Sequence, residues 1–63
     1  MTFSDWIDLK TPQTLSVVLK KKEGTIRMWK TRNSIPRDIW PESMERFAEI
    51  GVRDLRDMES ASK

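Results

Sequence analysis

The chain has 63 residues, 37% hydrophobic and 35% charged, with three tryptophans and a formal net charge of +2. It has no cysteine and no histidine, which excludes disulfide staples, thiolate or imidazole metal ligands and any nucleophile–histidine pair. Its carboxylates are scattered among arginines, as on solvated helix faces, so no catalysis, no cofactor and no metal are expected.

This length accommodates one domain, near the lower size at which chains fold alone. Residues 1–59 are assigned to it and 60–63 to a flexible C-terminal tail. The longest apolar run, Val17-Val18-Leu19, is far short of a membrane span, so no membrane partner is expected. The first residues carry Asp5 and Asp8, unlike a signal or transit peptide, and a cytoplasmic protein is expected.

The first predicted helix covers residues 3–9. Thr2 is its N-cap, with Asp5 three residues on in a capping-box arrangement. Phe3, Trp6 and Ile7 form one apolar stripe, and Trp6 is expected to cover a neighbouring helix face. The second helix, about 12–19, starts from Thr11 followed by Pro12, a hydroxyl cap and a proline whose missing N–H costs nothing there. Leu15, Val18 and Leu19 point inward. Ser16 is small where two helices would approach closely.

Periodicity breaks at Lys20-Lys21-Lys22 and resumes with Ile26 and Trp29 on a third helix, about 22–32. Asn33-Ser34-Ile35-Pro36 closes it, with Ile35 expected to fold back onto Trp29. Two short helices joined by three or four residues form a helix-turn-helix unit. The segment LKKKEGTIRMWKTRNSIP resembles the Cro-type and other small phage repressor-like regulators, in which a Thr-hydrophobic-x-x-Trp core precedes a polar stretch and Ile-Pro. The resemblance spans roughly residues 12–40. Two departures stand out: Lys20 replaces the turn glycine common in the family, and Lys21 the apolar residue after it. They leave open a distorted or longer turn and a one-residue slip in the groove-facing positions.

Charge is distributed unevenly. Residues 1–9 carry net −2, residues 10–37 eight bases against Glu23 alone for net +7, and residues 38–63 seven acids against four bases for net −3. A basic patch of this kind is the footprint of a polyanion partner. The break at residues 20–22 argues against the continuous apolar face of a membrane-surface helix.

The resemblance makes the third helix the reader of the DNA major groove, where the N-terminal residues of a recognition helix approach base edges. Lys22, Glu23, Arg27, Met28 and Thr31 are then the base-reading candidates, Arg27 first because its fork matches guanine O6/N7. A surface ion pair between Glu23 and Arg27 is the plainer alternative for those two. Lys20, Lys21, Lys30 and Arg32 suit phosphates, which position a protein without reading sequence. Gln13 and Thr14 open the second helix, where backbone N–H groups favour an anion; related motifs place a phosphate-contacting glutamine there, and simple capping is the alternative.

A fourth helix starts between Asp38 and Pro41 and runs to about Ile50, with Met44, Phe47 and Ala48 inward and Gly51 as its C′ cap. A last turn or two, 52–58, carries Val52, Leu55 and Met58. With Trp40 these three either complete the core or form a dimer seam. No hairpin signal follows the motif, so no wing is expected.

The sequence thus predicts an all-α bundle of four or five short helices containing a helix-turn-helix, a lambda-repressor-like DNA-binding fold. The expected function is a sequence-specific, Cro-like phage or prophage repressor acting on double-stranded DNA in a bacterial cytoplasm, weakly homodimeric and pairing on DNA through Trp40, Val52, Leu55 and Met58. An excisionase-like architectural DNA-binding protein, a small protein-binding adaptor or antirepressor, and an ordinary helical hairpin whose lysines only solvate a surface are the alternatives.

Overall fold

The computed structural model describes residues 1–62, and within them every regular element is helical: α1 (Phe3–Lys10), α2 (Pro12–Leu19), α3 (Glu23–Arg32), a single 3-10 turn (Arg37–Ile39), α4 (Trp40–Arg46) and α5 (Val52–Ala61). One core cluster joins Phe3, Trp6 and Ile7 of α1, Leu15 and Leu19 of α2, Ile26 and Trp29 of α3, and Leu55 and Met58 of α5. Ile35, Ile39, Trp40, Phe47 and Ile50 complete it from the turn, α4 and the connections.

Helix starts follow the local chemistry. Thr2 Oγ1 accepts from Asp5 N–H at 3.1 Å while Asp5 Oδ2 accepts from Thr2 N–H at 3.3 Å, closing the capping box. Thr11 Oγ1 accepts from Thr14 N–H at 3.3 Å. Thr11 is also the only residue between α1 and α2, and its φ of 71° puts a β-branched side chain in a region it rarely adopts.

The turn between α2 and α3 is built from Lys20, Lys21 and Lys22. Lys20 takes the left-handed conformation, φ 56° and ψ 43°, that glycine would supply more easily. Its N–H and that of Lys21 both donate to the carbonyl of Ser16, closing the helix end. Ser16 Oγ donates to the Lys21 carbonyl at 2.5 Å, so this small residue fastens the turn itself. The connection is three residues long. Ile26 and Trp29 face the core as their spacing requires, so the core phase of α3 is the expected one.

The second half of the chain departs from expectation. α4 ends at Arg46, not near Ile50: the chain unwinds at Phe47, whose ring meets Trp6 edge-on at 5.4 Å, and Ile50 N–H closes a turn onto the Phe47 carbonyl. Ala48 is consequently exposed, although a continuous helix would have buried it. Gly51 does not cap α4. Its backbone is extended, and it stands at the N-cap of α5, where its N–H donates to Asp54 Oδ2 at 2.8 Å.

α5 also runs beyond the expected residue 58, and Ser62 explains why. Its Oγ accepts from Phe3 N–H at 3.1 Å and donates to the Met58 carbonyl at 2.7 Å. Asn33, left-handed at the end of α3, accepts from Ser4 N–H at 2.9 Å through Oδ1, and its Nδ2 reaches the Ser62 carbonyl. This polar knot ties the start of α1 to the end of α3 and, through Ser62, to the end of α5. Lys63 of the expected tail lies outside the described residues. No described helix is long and apolar enough to cross a membrane.

Candidate nucleic-acid interface

With Ile26 and Trp29 inward, helical spacing turns Gly24, Arg27, Met28 and Thr31 outward along one face of α3. Arg27, Met28 and Thr31 are all exposed. Gly24 was not among the residues expected here, although its spacing from Arg27 and Met28 places it on their face. Its φ is not positive, and a Cβ built there meets no atom beyond its own helical turn within 4 Å, so the fold itself does not require glycine at this position.

Two side chains on this face already have partners. Arg27 Nη2 donates to Glu23 Oε1 at 2.7 Å, the i, i+4 ion pair foreseen as an alternative. Both ends remain reachable from solvent, and such exposed pairs are weak enough to exchange partners. Thr31 Oγ1 donates to the Arg27 carbonyl at 3.0 Å, so it can offer a partner its methyl group or lone pairs but not its proton. Lys22 lies outside α3 at the N-cap, in phase with Ile26, and reaches solvent beside the face rather than from it.

The expected phosphate-binding residues fall into three groups. Lys20 and Lys21 sit in the turn; they, Lys22 and Arg32 have no ion-pair partner among the described residues. Lys30 is exposed but held by Asp8 of α1, Nζ to Oδ1 at 2.5 Å. Gln13 and Thr14 are exposed on the first turn of α2. Pro12, at the same end, shares a concave surface of about 450 Å³ with Ser4, Arg27, Lys30 and Thr31. The start of α2 and the outer face of α3 therefore open on one side of the molecule.

Two other bases of the positive stretch are tied to distant acids. Lys10 pairs with Glu49 and lies 5.5 Å from the centre of the Phe47 ring. Its hydrogen bond, before any longer-range attraction, draws the Glu49 carboxyl below its usual pKa. Arg37 pairs with Glu59 at 2.7 Å over the Trp40 ring, and the hydrogen bond raises its guanidinium further. The net +7 read from residues 10–37 is thereby narrowed to the α2–α3 turn and the flanks of α3.

The expected dimer seam is mostly core. Leu55 is fully buried, Met58 and Trp40 nearly so, and the Trp40 indole donates to the Ile35 carbonyl at 3.1 Å. Once α5 packs beneath α4 and the turn before it, these side chains have no free face, and only Val52 of the four is exposed. No group of three or more acidic, histidine or cysteine side chains is arranged to hold a metal among the described residues. No protein-family model matches the chain, and searches of curated proteins and of solved structures likewise found no match.

Proposed function

We propose that this protein is a sequence-specific DNA-binding regulator that lays the outer face of α3 in the major groove. The observation that carries the reading is one of placement. An exposed face of Gly24, Arg27, Met28 and Thr31 is flanked by cations without ion-pair partners among the described residues, Lys20, Lys21 and Lys22 at one end and Arg32 at the other. Arg27 supplies the forked donor for guanine, Met28 and Thr31 apolar contact for a thymine methyl, and the lysines the phosphate contacts that set register. The exposed start of α2 opens on the same side, suited to the adjacent backbone.

A recognition helix of this kind spans only a few base pairs, so two protomers reading half-sites about 34 Å apart fit the task better than one. With Trp40, Leu55 and Met58 committed to the core, the pairing surface is small, and pairing is completed on DNA. Occupying an operator that overlaps a promoter then represses transcription in the bacterial cytoplasm without an effector site.

Selection from random duplexes at physiological salt tests this reading. A discrete, palindromic motif is the expected result. About four phosphate contacts per protomer predict a log–log salt slope near −3.6 per protomer. A slope near zero, or no enrichment, removes the DNA reading in favour of a protein-binding adaptor. Direct repeats with strong bending favour an architectural role.

A further inference from the structure

A second cleft lies on the opposite flank of α1. Ser4 and Asp8 turn toward α3, where they bond Lys30. Trp6, Leu9 and Lys10 line the other flank with Ile50, Asp54, Asp57 and Met58 around a cavity of about 360 Å³. Its floor is apolar: Trp6, Ile50 and Met58 are buried. At its lip stand Leu9, 66% exposed, and Met1, 65% exposed. An exposed leucine and methionine beside an apolar floor form a patch that gains by being covered.

The rim indicates what covers it. Glu49, Asp54 and Asp57 share the lining with two cationic groups, the Lys10 ammonium and the α-amino group of Met1, so three carboxylates still outnumber the cations, at net −1. Lys10 is already engaged by Glu49. Asp54 is held by Gly51 N–H, and Asp57 has no ion-pair partner among the described residues. Arg53 and Arg56 of α5 are exposed outside the lining. Two copies meeting cleft to cleft would press like-charged rims together. A copy docking its lysine turn would make a head-to-tail contact, which propagates unless the rotation closes a ring. A cationic segment of a different protein meets neither obstacle.

We infer that the α1–α5 cleft docks a basic segment of a partner protein. One apolar side chain of that segment seats against Leu9 over Trp6, Ile50 and Met58, and its lysines or arginines face Asp54 and Asp57. The site stands apart from the α3 face, so the inference does not depend on what α3 binds.

Three short helical peptides of one pattern serve as probes, built from leucine and lysine, leucine and glutamate, or serine and lysine. In amide-resolved NMR titrations of the full chain, the leucine–lysine peptide is expected to saturate shifts at Trp6, Leu9 and Asp57. Leu9→Ser, at an exposed position that leaves the core intact, should weaken it about tenfold, the value of covering one such side chain. Asp57→Asn should weaken it and flatten its salt dependence. Equal binding of either other peptide, or unchanged binding by Leu9→Ser, overturns the inference. Sedimentation showing self-association, with the same amides shifted in the free protein, also overturns it by making a second copy the occupant.

Discussion

Lys30 Nζ of α3 sits 2.5 Å from Asp8 Oδ1 of α1, so a cation beside the proposed reading face is shared with the protein's own carboxylate. The pair bridges the two helices at their exposed edges, and a surface ion pair of this kind contributes about 0–1 kcal/mol to stability. Asp8→Asn should therefore leave folding nearly unchanged while releasing Lys30. On DNA it should tighten binding and make the log–log salt slope steeper by about 0.9, one extra phosphate. Anisotropy titrations across a salt series check this, and Lys30→Ala in the Asp8→Asn background should cancel the gain.

Gly24 separates the needs of the fold from those of a ligand. No atom beyond its own helical turn lies within 4 Å of an added Cβ, and alanine is the better helix former, by up to about 1 kcal/mol. Gly24→Ala should raise the melting temperature yet weaken DNA binding if α3 reads the groove as proposed, because the methyl group would then stand between helix and groove surface. Arg27→Ala should cost about 1–3 kcal/mol on the best site and relax preference at one base pair. Parent-like selection profiles from both variants would exclude the outer face of α3 as the reader.

The polar knot around Asn33 predicts an effect on stability itself. Asn33→Ala removes the acceptor of Ser4 N–H and places alanine at a φ of 54°. An unsatisfied amide and the left-handed backbone together should cost about 2–4 kcal/mol. Urea unfolding should show a loss comparable to Trp29→Ala, which truncates a buried aromatic for about 3–5 kcal/mol.

Thr11 combines a useful side chain with a costly backbone. Its Oγ1 caps α2, while its φ of 71° is strained for a β-branched residue by about 1–3 kcal/mol. Thr11→Ala loses the cap and keeps strained backbone, whereas Thr11→Gly loses the cap and relieves it. Glycine should therefore be the more stable variant by about 1 kcal/mol, the reverse of their order inside a helix. Thermal unfolding of the two decides it.

Glu49 supplies a pH signature. The hydrogen bond from Lys10 lowers its pKa in the folded state, so its contribution is fully present above the unfolded-state value and is lost as pH falls through the folded-state value. Side-chain carboxyl NMR should show Glu49 titrating below the ordinary glutamate range, and Lys10→Met should move the midpoint upward. An unchanged midpoint would mean that the Lys10–Glu49 pair does not form in solution.

What the sequence determined by itself is local. Thr2 with Asp5, and Thr11 with Pro12, start two helices through bonds spanning three residues or fewer, so their positions are legible before any fold exists. The spacing of Ile26 and Trp29 likewise set the phase of α3, and with it the exposure of Arg27, Met28 and Thr31. Tertiary structure decided what depends on partners far along the chain. Phe47 leaves α4 to meet Trp6, Ser62 extends α5 by bonding Phe3, and Trp40 and Met58 go to the core rather than to a seam. The same holds for charge. Lys10, Lys30 and Arg37 read alike with Lys20 and Lys21 in one basic run, yet only packing brought Glu49, Asp8 and Glu59 beside the first three and left the turn lysines without an ion pair among the described residues. Local hydrogen bonds and helical phase are written in neighbouring residues, whereas long-range burial and ion pairing exist only once the helices have docked.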